Sequence, residues 1–461
     1  MSEDRSGSRL VAASLAAALM PLNSTMIAVA LPEISAEFDT DPAIVTQALV
    51  TSYLVAAIVL QSPAGKLGDR LGHARMVAIG QLVVGAGALL GFLAPSLALL
   101  TLARIMMAAG GAVLVPATVA LLRHALPPER RGRAFGAFGA VMALAAALGP
   151  LVGGALVHAF GWPSVFVANL PVLALSAVLA AVAGPLPRGV DRARPARFDW
   201  VGSVLLGAAL TSIVVGLRPG GDLTVPLLVV GAVLFVPFVL WEQRAADPVV
   251  AFAVFRSVPF SAGTLLIAAQ NLVMYALLFE VPLIAGELLG LGARATGQLL
   301  VSLMLAMVVV SPVAGRLVDH IGARAVAVAG SLAAVAGVVA LARVDLTATG
   351  QVALPLALLG IGLGLATPAA QSASISAAPA ELAGMAAGVG STMRYLGGLV
   401  GVALMSVLLD VSGTRSAVVS EHRALMMVFV AALLVGLVCA ALLPGRIRAP
   451  RTREDDVPSA I

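Results

Sequence analysis

The chain has 461 residues, of which 60% are hydrophobic and 11% are Asp, Glu, Lys or Arg, and its mean hydropathy is +1.04. A soluble domain carries about a quarter charged residues, so this composition excludes a soluble globular protein and predicts an integral membrane protein. The formal net charge is +5, but the basic residues are placed as membrane topology requires, and we expect no nucleic-acid partner. The single cysteine, Cys439, excludes a disulfide framework.

Fourteen apolar runs follow one another along the chain. A helix that crosses the hydrocarbon core of a bilayer needs about 20 mostly apolar residues, and each run is close to that length or exceeds it. The predicted spans are residues 10–31, 46–65, 76–94, 97–122, 134–158, 164–184, 200–217, 224–241, 259–284, 298–315, 325–342, 351–373, 385–410 and 424–444. The sequence therefore predicts an all-α polytopic membrane protein with 14 transmembrane helices, arranged as six, two inserted and six.

The loops between these runs are alternately rich and poor in basic residues. Together with Arg5 and Arg9, 21 of the basic residues fall on one side, and only five fall on the other. The positive-inside rule places the rich side, and both termini, in the cytoplasm. We expect a monomeric, multi-pass protein of the bacterial inner (plasma) membrane. Its expected parts are a cytoplasmic N-terminus (1–9), a six-helix bundle (10–184), a linker with two inserted helices (185–258), a second six-helix bundle (259–444) and a cytoplasmic tail (445–461).

Two polar residues of the first bundle are predicted to lie inside the membrane. Asn23 in the first run and Arg104 in the fourth are both about 10–12 Å below the outer ends of their helices, so they can face each other. A buried arginine needs a partner. Three partners are open: the Asn23 amide oxygen with backbone carbonyls, an anionic group on a substrate, or an acid from another helix.

A charged turn that contains glycine occurs twice, after the second run and after the tenth. The repeated residues are Gly65, Asp69, Arg70 and Gly72 in the first copy and Gly315, Asp319 and Gly322 in the second. Glycine permits a sharp bend and a close backbone approach, and Asp69 can meet a helix N-terminus or an arginine and so hold one conformation. Because the pattern is duplicated, we favour this role over that of a solvated loop, and we predict two parallel halves.

The fifth run combines small residues with a proline: Gly136, Gly149, Pro150, Gly153 and Gly154. Small residues let helices pack backbone to backbone, and a proline bends a helix. The pattern favours a helix that seals one face of the protein while the other opens, with general close packing as the alternative.

Three polar residues of the ninth run are candidates for transport chemistry. Gln270 and Asn271 are adjacent amides near the middle of the membrane, where such groups face a cavity or another helix more often than lipid. Glu280 lies nearer the outer end. It is either an interfacial carboxylate in contact with water or a protonatable group that couples proton entry to transport.

Four stretches together resemble a known family. They are the duplicated turn, Ala30-Leu31-Pro32, the fifth-run sequence Gly149-Pro150-Leu151-Val152-Gly153-Gly154, and Arg394-Tyr395-Leu396-Gly397-Gly398 in the thirteenth run. In these residues the chain resembles the fourteen-helix drug:proton antiporter branch of the major facilitator superfamily over nearly its whole length.

The resemblance implies roles for individual residues. The family uses the duplicated turn to lock its cytoplasmic gate, and its fifth-helix pattern marks exporters. Tyr53 matches an aromatic position in the family's second helix, and Arg394 belongs to the thirteenth-helix stretch. In the family's first helix an aspartate usually stands where this chain has Asn23, in a pattern that here continues to Thr25. Asparagine cannot carry a proton, so the usual proton site of the first helix is in doubt.

We therefore expect an exporter of a small organic compound (a drug, antibiotic or secreted metabolite) that works by alternating access and proton antiport. The alternatives are a proton-independent or anion-coupled exporter or facilitator and, from another class, a membrane sensor or scaffold. The sequence lacks a phosphate-binding glycine loop, so ATP drive is not expected. The five histidines show no ligand spacing, and we expect no metal, no cofactor and no enzymatic activity.

Overall fold

The structure is a computed structural model of the chain. It describes residues 2–40, 44–45, 47–184, 199–216, 224–246, 248–287, 293–344, 349–379, 382–409 and 414–445. The predicted linker Pro185–Arg197 and the predicted tail from Arg446 onward lie outside these residues.

The described residues are helical almost throughout and include fourteen helices of at least 15 residues. These are α1 (Ser2–Met26), α2 (Ser52–Leu71), α3 (His73–Phe92), α4 (Leu97–Ala125), α5 (Pro128–Phe160), α6 (Asn169–Ala183), α7 (Trp200–Gly216), α8 (Thr224–Glu242), α9 (Val258–Glu287), α10 (Ala293–Ile321), α11 (Ala323–Ala342), α12 (Thr349–Ala377), α13 (Ala383–Leu408) and α14 (Arg415–Ala441). Shorter helical segments are Ile27–Val29, Leu31–Glu37, Ser164–Val167, Phe252–Arg256 and a π-helical turn at Gln47–Thr51. Each long helix overlaps one predicted run, with ends that differ by several residues.

Ten stretches within these helices are long and apolar enough to cross a membrane. They are Ala48–Leu71, His73–Phe92, Leu97–Ala125, Ser164–Ala183, Val225–Glu242, Val258–Leu278, Leu299–Ile321, Ala323–Ala342, Gln351–Ala377 and Arg415–Ala441. Helices α1, α5 and α7 contain shorter apolar stretches, at Leu10–Met26, Arg133–Ala146 and Trp200–Ile213. The multi-pass α-helical class is confirmed, and the number of crossings beyond ten stays a prediction.

The helices pack in a pattern that occurs twice. Within the first six, α1 packs on α5 and α6, α2 packs on α4, and α3 packs on α4. The same contacts recur eight helices later: α9 packs on α13 and α14, α10 on α12, and α11 on α12. Contacts between the two sets are also reciprocal, with α2 against α13 and α5 against α10. The inserted helices α7 and α8 pack on each other, and α7 touches α2.

The duplicated turn is shorter than the sequence predicts. Helix α2 continues to Leu71 and α3 begins at His73, so only Gly72 lies between them, with φ 91°. In the second copy only Gly322 separates α10 from α11, with φ 90°. An L-residue with a side chain rarely adopts such a φ, so the bend depends on these two glycines. Gly65 and Gly315 do not bend the chain, because each lies inside a continuous helix. Gly65 belongs to α2, which packs on α13, and Gly315 belongs to α10, which packs on α5.

The small residues of α5 lie in close helix contacts, which both the predicted sealing helix and its alternative, general close packing, require. A Cβ on Gly149 would overlap Oγ1 of Thr25, and one on Gly153 would lie 2.7 Å from Cγ of Met26, so both glycines bring α5 against α1. Gly154 faces a looser contact with Val29, at 3.9 Å. Gly136 packs instead on α10, against Gly315. Helix α5 is continuous through Pro150.

Candidate functional site

Asp69 links the two halves at the end of the bundle that holds Gly72, Gly322 and Arg123, which we call the basic end. Its carboxylate accepts hydrogen bonds from the backbone N–H groups of Gly384 (2.7 Å) and Met385 (2.8 Å), in the first turn of α13. His73 Nε2 lies 3.4 Å from the same carboxylate. A carboxylate at a helix N-terminus satisfies orphan donors and matches the helix dipole. Asp69 thus forms the first latch, from α2 of one half to α13 of the other.

Asp319 forms an equivalent second latch in the opposite direction. Its Oδ2 accepts a hydrogen bond of 2.9 Å from the backbone N–H of Arg133, near the start of α5. Arg123, at the end of α4, donates to the carbonyls of Ala378 and Pro379, at 2.5 and 3.1 Å, just beyond the end of α12. An arginine suits a helix C-terminus as an acid suits an N-terminus. The basic end is therefore closed by complementary charge on both sides, and Arg70 is buried in the same region.

Above the first latch, α2 and α13 approach at backbone distance. A Cβ on Gly65 would overlap the carbonyl of Gly384, and one on Gly388 would lie 2.5 Å from the carbonyl oxygen of Gln61. Ser62 Oγ and Thr392 Oγ1 lie 3.3 Å apart across the same contact. The closed basic end thus requires glycine, rather than charge alone, on both helices.

Replacement of Gly388 by alanine is expected to lower transport about tenfold. The added Cβ meets backbone atoms of α2, which cannot rotate away, and overpacking of this kind costs about 1–3 kcal/mol, where each 1.4 kcal/mol is tenfold. Gly390→Ala is the matched control, because a Cβ at Gly390, on the same helix, meets nothing within 4 Å. Transport rates per folded protein in membrane vesicles check the prediction, and equal rates for the two variants would contradict it.

Arg104 is buried between α4, α1 and the π-helical turn that precedes α2. Its exposed fraction is 2%. Nε donates to the carbonyl of Leu49 (3.0 Å), Nη1 donates to the carbonyl of Asn23 (3.3 Å), and the guanidinium lies over the Tyr53 ring at 4.2 Å. Nη2 is buried and makes no hydrogen bond to any described residue. Backbone carbonyls and an aromatic face therefore hold this charge. The backbone carbonyls were one part of the first predicted alternative, which also included the Asn23 amide oxygen.

The side chain of Asn23 points to a residue that the sequence did not single out. Its Nδ2 donates to Oδ1 of Asn169 at 2.7 Å, and Asn169 in turn donates to the carbonyls of Val165 and Phe166. The expectation that the two side chains face each other is therefore wrong, since Arg104 contacts only the backbone of Asn23. Thr25 donates across to the carbonyl of Ala146 in α5 (3.0 Å), so it ties α1 to α5.

The three tyrosines of the chain come together near the middle of the bundle. Tyr275 of α9 and Tyr395 of α13 have ring centroids 6.2 Å apart, and Tyr53 of α2 lies within electrostatic reach of both. Tyr53 donates to the carbonyl of Met20 at 3.0 Å. Arg394 is partly buried and acts electrostatically on Tyr275 and Tyr395. Aromatic rings from both halves and a cation from the second half therefore lie in one region.

The two adjacent amides of α9 differ in their contacts. Asn271 Nδ2 donates to Ile267 of its own helix, at 2.8 Å. Gln270 Oε1 accepts from Thr367 of α12 at 2.9 Å, whereas its Nε2 is buried without a hydrogen-bond partner among the described residues. Of the two, Gln270 has a donor available for a ligand.

Glu280 is not an interfacial carboxylate. Its exposed fraction is 0%, and Oε1 lies 2.7 Å from Nδ1 of His422 in α14. The predicted fourteenth span began at residue 424, so it left His422 out. Helix α14 begins at Arg415, so the polar residues that precede the apolar run are part of this helix, and His422 among them is buried. A histidine just before an apolar run was the available signal.

The described geometry can be compared with known proteins. A family model described as "Major Facilitator Superfamily" matches residues 13–402. The chain is 34% identical to the tetracenomycin C resistance and export protein of Streptomyces glaucescens over 410 residues, which cover 87% of this chain and 75% of that protein. It is 30% identical to the multidrug resistance protein Stp of Mycobacterium tuberculosis over 407 residues, 87% and 75% of the two chains. Its fold is similar to that of the human organic anion transporter MFSD10 (TETRAN), with TM-score 0.69 and 13% identity over 94% and 99% of the chains.

Proposed function

The chain belongs to the major facilitator superfamily and is a multi-pass transporter of the cell membrane, and we propose that it exports a small organic compound from the cytoplasm by alternating access driven by proton antiport. The two halves are the moving parts, and the basic end is the cytoplasmic gate. Beyond membership of this transporter family, we propose the direction of transport, the kind of compound that is transported and the driving force.

The pair of latches carries the proposal. Asp69 reaches from the first half to the start of α13, and Asp319 reaches from the second half to the start of α5. Both use charge-assisted hydrogen bonds, which are stronger than neutral ones and depend on precise geometry, so each latch is formed only while the two halves are in contact at this end. Two latches in opposite directions at one end of a two-fold arrangement suit a gate that opens as the halves rock apart.

The direction of transport is proposed from the relatives. One is named for resistance to and export of tetracenomycin C, and another for multidrug resistance. Export of a toxic compound is the mechanism that the first of these names states, and we propose the same direction for this chain. Candidate substrate contacts in this chain are the tyrosines Tyr53, Tyr275 and Tyr395, the cation Arg394 and the available amide donor of Gln270.

A second candidate, anion-coupled or proton-independent transport, is favoured by one observation. Arg104 is buried, and Nη2 has no hydrogen-bond partner among the described residues, so an anion could complete its shell. Proton antiport has the stronger support, because the fully buried carboxyl of Glu280 can be neutralised by a proton.

Everted membrane vesicles with an acidified interior test the proposal. A dye that reports interior pH is recorded while ethidium (a cation), chloramphenicol (neutral), fluorescein (an anion) and tetracenomycin C are added in turn. We expect at least one compound to accumulate and to dissipate the proton gradient, with no such response in vesicles that lack the protein.

Two other results would decide against proton antiport. Accumulation of a compound without any dye response would support the anion-coupled or proton-independent alternative. Absence of both accumulation and dye response for all four compounds would contradict proton-driven export of these classes of compound.

A further inference from the structure

A buried acid–base pair lies in the second half, at the end of the bundle opposite the basic end. Glu280 of α9 and His422 of α14 have exposed fractions of 0% and 3%. Helix α9 ends at Glu287 and α14 begins at Arg415, so each residue lies about 10 Å along its helix from that end. Oε1 of Glu280 is 2.7 Å from Nδ1 of His422, and Nε2 of His422 is 3.1 Å from the carbonyl oxygen of Leu341 in α11.

These distances determine how many protons the pair holds. The carbonyl of Leu341 can only accept a hydrogen bond, so Nε2 of His422 carries a hydrogen. A 2.7 Å contact between Nδ1 and Oε1 needs a second hydrogen between them, because two lone pairs would repel at that distance. Whether it belongs formally to nitrogen or to oxygen, the pair has zero net charge. The heavy-atom distances are therefore those that a proton-loaded pair requires.

We propose that Glu280 and His422 together form the binding site for the transported proton. This inference rests on the proposed proton antiport and names its carrier. It moves proton binding from the first helix, where Asn23 cannot titrate, to the interface between α9 and α14. Among the described residues of the first half, the buried acid Asp69 is held at the basic end by the amides of α13, and the buried charge near Asn23 is the cation Arg104.

The step balances for one proton and one unit of charge. Binding a proton from the side opposite the basic end converts a carboxylate and a neutral imidazole, with net charge −1, into the neutral hydrogen-bonded pair. Release to the cytoplasm reverses this. The released state has a buried negative charge and only one imidazole hydrogen for two contacts, so an acceptor faces an acceptor either at Oε1 of Glu280 or at the carbonyl of Leu341, which is costly in an apolar interior. Proton loading therefore favours the close packing of α9 on α14 that the structure shows.

Helix α9 connects this site to the candidate substrate contacts. It carries Gln270 and Tyr275 within ten residues of Glu280, and it packs on α13 at Gly397 and Gly401, where a Cβ would overlap carbonyl oxygens of α9. A shift of α9 on proton release would therefore displace α13. The first turn of α13 is held by the Asp69 latch.

Charged residues adjoin the pair along the chain, on α14 and just after the end of α11. Arg423, the next residue of α14, acts electrostatically on His422. Glu421 precedes it on the same helix, and Arg343 follows Leu341 by two residues just after the end of α11. Arg423→Gln separates the effect of this neighbouring charge from that of the pair.

Histidine NMR tests the site without any knowledge of the substrate, because the ligand is the proton itself. Full-length protein labelled with [15N]histidine is placed in lipid nanodiscs and titrated between about pH 5 and 9, the range in which histidines change charge. We expect the ring 15N shifts of His422 to change in one step, when the pair loses the hydrogen shared between Nδ1 and Oε1. In Glu280→Gln this step is expected to disappear or to move by at least about one pH unit. An unchanged step would overturn the proposal.

Transport measurements in the vesicles described above connect the site to coupling. For a compound that dissipates the gradient in wild type, Glu280→Gln is expected to lose at least about tenfold of proton-driven accumulation, and exchange of labelled for unlabelled compound, which needs no net proton movement, is expected to stay within about twofold. A purely structural role would lower both. Glu33→Gln is the control, since Glu33 is an exposed carboxylate at the same end.

The outcomes separate the site from the proposed function. Proton-coupled accumulation that survives in Glu280→Gln would overturn the site and leave antiport intact. Absence of a proton response in wild type would defeat antiport, while the NMR titration would still report on the pair. If Glu280→Gln does not fold, His422→Gln decides, and wild-type accumulation in that variant would overturn the proposal.

Discussion

Oxidation of a Ser62→Cys/Thr392→Cys variant is expected to reduce transport by more than about 100-fold, and a reducing agent is expected to restore it, because a transporter held in one conformation cannot complete its cycle. The two hydroxyl oxygens lie 3.3 Å apart, on α2 and α13 of opposite halves. The glycine contact beside them brings the backbones close enough for the short Cβ separation that a disulfide needs. The background is Cys439→Ser, which removes the one native cysteine.

The control is a disulfide that joins no moving parts. A Cβ at Gly216 of α7 would lie 3.1 Å from Cβ of Leu227 in α8, within the inserted pair of helices. Oxidised Gly216→Cys/Leu227→Cys is expected to transport at the rate of its reduced form. Mass spectrometry verifies cross-linking in both variants. Full activity of the cross-linked Ser62/Thr392 variant would show that the α2–α13 contact does not open during transport.

Arg104→Ala is expected to lower transport about 100-fold or more. The side chain donates charged hydrogen bonds to Leu49 and Asn23 and covers the ring of Tyr53. Each bond to a charged group contributes about 1.5–3 kcal/mol, and the loss of both leaves two carbonyls at membrane depth without their donor. The connection of α4 to α1 and to the π-helical turn is lost with them. Transport rates in vesicles, normalised to folded protein, check this prediction.

Two further variants show what the charge of Arg104 does. Arg104→Lys keeps the charge but not the planar arrangement of donors, and we expect it to recover only part of the activity if the two carbonyls are what matters. Asn23→Asp introduces a carboxylate at the residue whose backbone carbonyl Arg104 binds, and it is expected to be tolerated in that case. If Asn23→Asp instead abolishes the movement of fluorescein while Arg104→Lys retains it, Arg104 binds an anionic substrate, and the structural explanation of its role is wrong.

The helices of this protein can be predicted from its sequence because the bilayer acts as a uniform solvent. Every backbone polar group must be satisfied within a segment that crosses it, so apolar length alone located all fourteen long helices. The side that each helix end faces stays a prediction from the basic loops. Duplication was also visible, since Asp69 and Asp319 recur within the same pattern. Helix ends were less accurate, because α2 and α14 extend through charged residues wherever other helices cover them.

The partners of the polar residues depended on tertiary structure. Asp69 meets the amides of Gly384 and Met385, more than 300 positions away, and Glu280 meets a histidine 142 positions away. Asn23, predicted to face Arg104, turns to Asn169. Local sequence indicates that a buried polar group needs a partner, because an unpaired one is costly in an apolar interior. Which partner it finds is decided by the rotation and spacing of packed helices, and those are set by glycine contacts such as Gly65 with Gly384 that bring distant segments together.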